Sequence, residues 1–173
     1  MNTLYTIGHS TRTFEQFLAL LKAHEIQRVV DIRTIPKSRH NPQFGQDILS
    51  PALQEARIGY TYLGKLGGLR HTTKDSINTG WENLSFRGYA DYMATDAFQE
   101  GLQELKTLAE QQRVAIMCAE AVPWRCHRSL VADALMVQGW KVLDIQSKKT
   151  AKLHELTPFL KVENGKITYP ALS

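Results

Sequence analysis

Short apolar runs and amphipathic stretches alternate along this chain. TLYTI (3–7) is rich in β-formers and stops at Gly8. The next stretch sets Phe14, Phe17, Leu18 and Leu21 on one helical face, and Thr13 with Gln16 fits a capping box, so a helix should begin near Phe14. RVVDI (28–32) is a second strand candidate, followed by the polar loop RTIPKSRHNPQFGQD. Ser50 as N-cap with Pro51 at the first helical position predicts a helix over SPALQEARI. GYTYLG (59–64) is the third strand candidate, and a long loop from Lys65 leads to one helical stretch over about 88–110. RVAIMC (113–118) and WKVLDI (140–145) are the fourth and fifth strands. Between them, Leu130, Ala134 and Val137 share a face of a helix over about His127–Gln138, with Gly139 placed to end it. In the tail, Asn164-Gly165 between short alternating runs predicts a two-residue hairpin.

Strand and helix in alternation predict an α/β fold: a mostly parallel sheet with helices on both faces and a C-terminal β-hairpin. No repeat or linker interrupts the 173 residues, so the reading is one domain over 1–173. In such sheets ligands bind beyond the carboxyl ends of the strands. The polar clusters fall there: Gly8-His9-Ser10 after the first strand; Asp31 and Arg33, then Ser38, Arg39 and His40, after the second; Gly64, Gly67, Gly68, Arg70 and His71 after the third. After the fourth come Cys118, Glu120, Cys126, His127 and Arg128.

Composition changes this picture little. Hydrophobic residues make up 43% and charged residues 22%, as in an ordinary globular protein. No apolar run is long enough to span a bilayer, and the start lacks the order of a secretory signal, so the expectation is a cytoplasmic protein with no membrane partner. Two cysteines make no disulfide framework, and a Cys118–Cys126 bridge is open to the chain but not implied. The net charge of +4 is a mild lean toward anionic partners.

The segments YTIGHST, VVDIRTIPKSRHNPQF, YTYLGKLGG and CAEAVPWRCHRSLVADAL, in that order, resemble the bacterial and archaeal family known as domain of unknown function 488. The resemblance runs from about Leu4 to Ile145 and leaves a C-terminal extension with the hairpin at about 158–170. It implies a cytosolic α/β domain and no settled activity. Members are often labelled as candidate DNA-repair proteins, which points toward nucleic acid and a DNA-repair enzyme as a partner.

The residues carry chemistry of their own. Cys126, His127 and Arg128 stand at a helix start, where free N–H groups and neighbouring arginines favour a thiolate or a bound anion. No arginine follows either cysteine at the spacing of a cysteine phosphatase. Cys118, directly after VAIM, reads as a buried core thiol. Glu120 is either an ion-pair partner for Arg128 or Arg33 or a general base. His9 is a candidate acid or base. Asp31 would orient a ligand group or pair with Arg33; Arg33, Lys37 and Arg39 would hold phosphate. Phe44 and Trp81 would stack on a base or pack back on the core. Eight residues separate the thiols, unlike the paired spacing of zinc sites, so no metal is expected. There is no dinucleotide fingerprint or phosphate-binding P-loop, and the cofactor stays unknown.

The expected function is an enzyme, a hydrolase or group transferase, acting on an anionic small molecule or nucleic-acid fragment of nucleotide type. His9, Glu120 and Cys126 would be catalytic. Ser10, Asp31, Arg33, Ser38, Arg39, Gly67, Gly68, His127 and Arg128 would bind the substrate or its anionic group. The alternatives are a non-catalytic nucleic-acid-binding module and a thiol or metal sensor.

Overall fold

The computed structural model describes residues 2–171. Five parallel strands form the centre of the molecule: β1 (Thr3–Gly8), β2 (Arg28–Asp31), β3 (Gly59–Tyr62), β4 (Val114–Cys118) and β5 (Lys141–Ile145). With a short antiparallel edge strand, β6 (Ala151–Leu153), they lie in the order β3-β2-β4-β1-β5-β6. The chain therefore leaves β1 in one direction for β2 and β3 and returns through β4. Period-two alternation splits the core. Val114 and Ile116 face one layer while Ala115 and Met117 face the other. Helices α1 (Phe14–Ala23) and α2 (Gln46–Glu55) cover the second of these faces. Helices α3 (Leu84–Tyr92), α4 (Asp96–Gln111) and α5 (Arg128–Val137) cover the first. The α/β fold with helices on both faces and a C-terminal hairpin is thus observed. Among the described residues no helix is long and apolar enough to cross a membrane.

Local signals explain most boundaries. Thr13 and Gln16 form the reciprocal capping box at α1. Gly139, with φ +90°, follows the end of α5, where a side chain would be strained. Asn164 and Gly165 both have positive φ, joining β7 (Lys161–Glu163) to β8 (Lys166–Thr168) by a tight turn of the primed type. Two expectations fail. α2 begins at Gln46 and carries Pro51 inside it, because Leu49 and Leu53, one turn apart, are both drawn into the core. The stretch expected as one helix over 88–110 is two, since Thr95 accepts the Phe98 N–H and starts a new one. The three-residue strand β6 has no sequence signal of its own.

α5 is buried almost all round from Arg128 to Leu135, whereas the sequence offered one apolar face. The second cover comes from the C-terminal extension. Asp133, fully buried, accepts hydrogen bonds from His154 Nε2 (2.7 Å), from Thr157 N and Oγ1 (3.2 and 2.7 Å), and from Tyr169 OH (2.8 Å). One aspartate of α5 thereby anchors three points of the tail.

Candidate functional site

The carboxyl ends of β1, β2 and β4 meet because the ladder continues past the strands. His9 N donates to Cys118 O and Ser10 N to Ala119 O, both at 2.9 Å, and Ile32 N donates to Met117 O at 3.1 Å. The segment after β4 crosses over the end of β1. A Cβ on Gly8 would collide with the Glu120 carbonyl and with Arg128 Nη1. Gly8 serves this crossing of backbones, and its φ is not positive.

Arg128 holds the crossing from beneath. Expected to bind the substrate from a helix start, Arg128 instead has a side chain that is 0% exposed. Nη1 donates to Cys118 Sγ at 2.9 Å and to Glu120 O. Nη2 donates to Ala121 O at 3.0 Å and pairs with Asp144 Oδ1 at 3.2 Å. Thr6 Oγ1 donates to the same carboxylate oxygen at 2.6 Å. A planar cation with several donors in a fixed fork can satisfy two carbonyls, a sulfur and a carboxylate at once. Arg128 is therefore a clamp behind the site.

In front of the clamp lies a cleft of about 340 Å³ between the ends of β2 and β4. Arg33, Gly68, Glu120, Cys126 and His127 line it, so five of the expected site residues come together there. Lys37, Arg125, Cys118 and Phe86 complete much of its wall. Cys118 and Cys126 are joined by a disulfide, which the sequence did not imply, and the two residues are 2% and 5% exposed. Cys118 ends the core strand as expected, yet its sulfur also reaches the cleft. Cys126 Sγ accepts the Arg128 backbone N–H at 3.4 Å. With the guanidinium on Cys118, each sulfur faces an N–H donor, a setting that would favour a thiolate once the bridge is reduced.

His127 stands beside Cys126, with Nδ1 3.7 Å from Sγ. Its Nε2–H donates to Ile32 O at 2.8 Å, leaving Nδ1 unprotonated beside Cys126 Sγ. Burial pushes His127 down to about 4 despite its backbone contacts, so the ring is a weak proton acceptor. Gly68 lies flat on this imidazole, where a Cβ would fall 2.6 Å from Nδ1.

Asp31 and Arg33 form a two-pronged pair, Nε to Oδ1 at 2.9 Å and Nη2 to Oδ2 at 2.7 Å, joined by the Tyr60 hydroxyl. Arg33 Nη1 is buried without a protein partner. Glu120 is exposed and forms no ion pair among the described residues.

The other expected residues do not line the cleft. His9 is 2% exposed, stacked on Phe44 with ring centroids 4.4 Å apart. Its Nδ1–H donates to Ser10 O at 2.8 Å and its Nε2 is buried without a partner. Burial, helped by the charges of Arg33 and Arg12, pushes His9 down to about 4 against the Ser10 bond. Phe44 is core. Ser10 shapes the turn after β1 with φ +53°. Ser38 accepts the Asn41 N–H at 3.0 Å within its loop, Arg39 is exposed, and Gly67 is buried in the turn after β3. Phe86 had no signal in the sequence, because α3 reaches the cleft only through the fold. Among the described residues no group of three or more metal-ligating side chains is gathered.

No curated protein and no solved structure shows significant similarity to the chain. A family model matches residues 13–135, from the cap of α1 through nearly all of α5, and so includes most of the cleft wall. The chain belongs to the family described as Domain of unknown function DUF488.

Proposed function

We propose that the protein is an enzyme acting on an anionic, nucleotide-like substrate in the cleft between β2 and β4, with Cys126, once its bridge to Cys118 is reduced, as nucleophile. The observation that carries this reading is Arg33. Asp31 occupies two of its nitrogens, while Nη1, on a residue of the cleft wall, has no partner. A buried guanidinium nitrogen without an acceptor is costly unless a ligand oxygen meets it. Lys37 and Arg125 add two more cations to the wall and Phe86 an aromatic face. Glu120 is the carboxylate of the cleft wall and no ion pair among the described residues occupies it, whereas His9 is sealed behind Phe44. In this scheme the bridge is first reduced by an external thiol. Cys126 then passes its proton to Glu120 as Sγ bonds to the substrate's phosphorus and the bond from phosphorus to the leaving group breaks. The leaving group takes that proton from Glu120, and water splits the phosphorus–sulfur bond to restore the thiol.

The reading is tested by titrating the chain, with its bridge reduced by dithiothreitol, with nucleoside mono- and diphosphates, following melting temperature and alkylation of Cys126. A nucleotide should raise the melting temperature and slow alkylation. Lys37→Ala and Arg125→Ala should each weaken it by about 1 kcal/mol or more, as loss of a charge-assisted contact does. No response to any nucleotide, or responses unchanged in both variants, would refute it. Tighter binding of long single strands than of mononucleotides would favour a nucleic-acid-binding module instead.

A further inference from the structure

A second cavity, of about 400 Å³, lies on the other side of the segment that walls the cleft. Pro123, Trp124 and Ser129 border it, whereas Arg125, Cys126 and His127 border the cleft. Its remaining walls come largely from residues 152–159 of the C-terminal extension, outside the family-matched residues.

The lining is mostly apolar and aromatic, with Trp81, Trp124 and Phe159 among it. Trp81 and Phe159 are held edge to face, 4.9 Å between ring centroids. Trp124 is 68% exposed. Two polar atoms stand out among these residues because they are buried and have no partner: Asp144 Oδ2 and Trp81 Nε1. Asp144 is only 5% exposed, and its other oxygen is fully engaged by Thr6 and Arg128. A buried carboxylate oxygen requires a donor, and a buried indole N–H usually finds an acceptor. The residues that border this one cavity therefore combine stacking surfaces with an unpartnered acceptor and an unpartnered donor.

We propose that this cavity is a second ligand site, for a flat nitrogen heterocycle that carries an N–H donor, the class to which nucleobases belong. The ring lies against the indoles and Phe159. Its N–H donates to Asp144 Oδ2, and a ring carbonyl or nitrogen accepts from Trp81 Nε1. The assignment does not depend on the reaction proposed for the cleft. Asp144 also ties the two regions together, since it holds the Arg128 that donates to Cys118 Sγ.

The test uses tryptophan fluorescence of the full chain. Of its three tryptophans, Trp81 and Trp124 line the cavity and Trp140 is core. The probes are cytidine, adenosine, guanosine, and the pair theophylline and caffeine, which differ by one methyl group on a ring N–H. Theophylline and at least one nucleoside should quench saturably. Caffeine should bind at least about tenfold more weakly, the factor given by one buried hydrogen bond of about 1.4 kcal/mol. Trp81→Phe and Trp124→Ala should each weaken theophylline several-fold. Absence of saturable quenching up to about 10 mM, well beyond the weakest specific range, overturns the proposal. So does caffeine binding as tightly as theophylline, or undiminished theophylline binding in Trp124→Ala. That variant removes an exposed side chain and decides the matter even where Trp81→Phe fails to fold.

Discussion

Arg128→Ala should destabilise the protein severely, because the clamp it removes is fully buried. The truncation deletes a charged side chain that is 0% exposed and leaves Asp144, itself nearly buried, with Thr6 as its remaining partner. Removing one member of a buried ion pair costs about 3–5 kcal/mol, since the other charge stays buried and uncompensated. The carbonyls of Glu120 and Ala121 also lose their donors, but both residues are exposed and water can replace them, so they add little. The cavity left by a large side chain adds to the loss. For a chain of this length about 4 kcal/mol lowers the melting temperature by roughly 8–16 °C. Urea unfolding of wild type, Arg128→Ala, Asp144→Asn and the double variant measures both the loss and its origin. The double variant should lose clearly less than the two single losses combined, because the neutral amide no longer needs the cation. A loss under about 1 kcal/mol in Arg128→Ala, or strict additivity in the cycle, would refute the assignment of Arg128 as a buried clamp.

Asp133→Ala should release the C-terminal extension from α5 at a cost of about 2–4 kcal/mol, since Tyr169 and Thr157 lose a buried acceptor. Hydrogen exchange should rise over residues 151–169 and stay slow in β1 and β4; unchanged exchange in the tail would count against the anchor. Stability should fall as the pH drops from about 6.5 to about 4, because His9 and His127 are held neutral when folded and take up protons when unfolded. Both folded values lie below the unfolded one, so the stability is fully present above 6.5 and is lost on acidification. Each histidine contributes up to about 3 kcal/mol across this window. Urea midpoints across that range should show a shallower decline in His9→Gln, and an equal slope would refute the sealed, neutral state of His9.

Much of the fold was legible because its signals are local. Thr13 with Gln16, Gly139, and Asn164-Gly165 each satisfy a backbone need within a few residues, so the residue types alone mark the spot. Alternating apolar runs likewise declared the parallel sheet, and with it the edge where polar loops must gather. Local reading misplaced the start of α2, where a proline signal lost to core burial of Leu49. It also missed the break at Thr95, although the cap residue was there to be read.

The sequence by itself thus determined the layer architecture and that Arg33, Gly68, Glu120, Cys126 and His127 belong to the carboxyl edge. Only the tertiary structure decided which side chains face outward and which lie behind. Arg128 and His9 look like surface chemistry in the sequence, yet the crossing of residues 118–121 over Gly8 buries one and Phe44 seals the other. Tertiary packing also brought Phe86 of α3 to the cleft and folded the tail over α5. The physical reason is range. A cap or a turn is settled by neighbours in sequence, whereas burial depends on which distant segment happens to cover a residue.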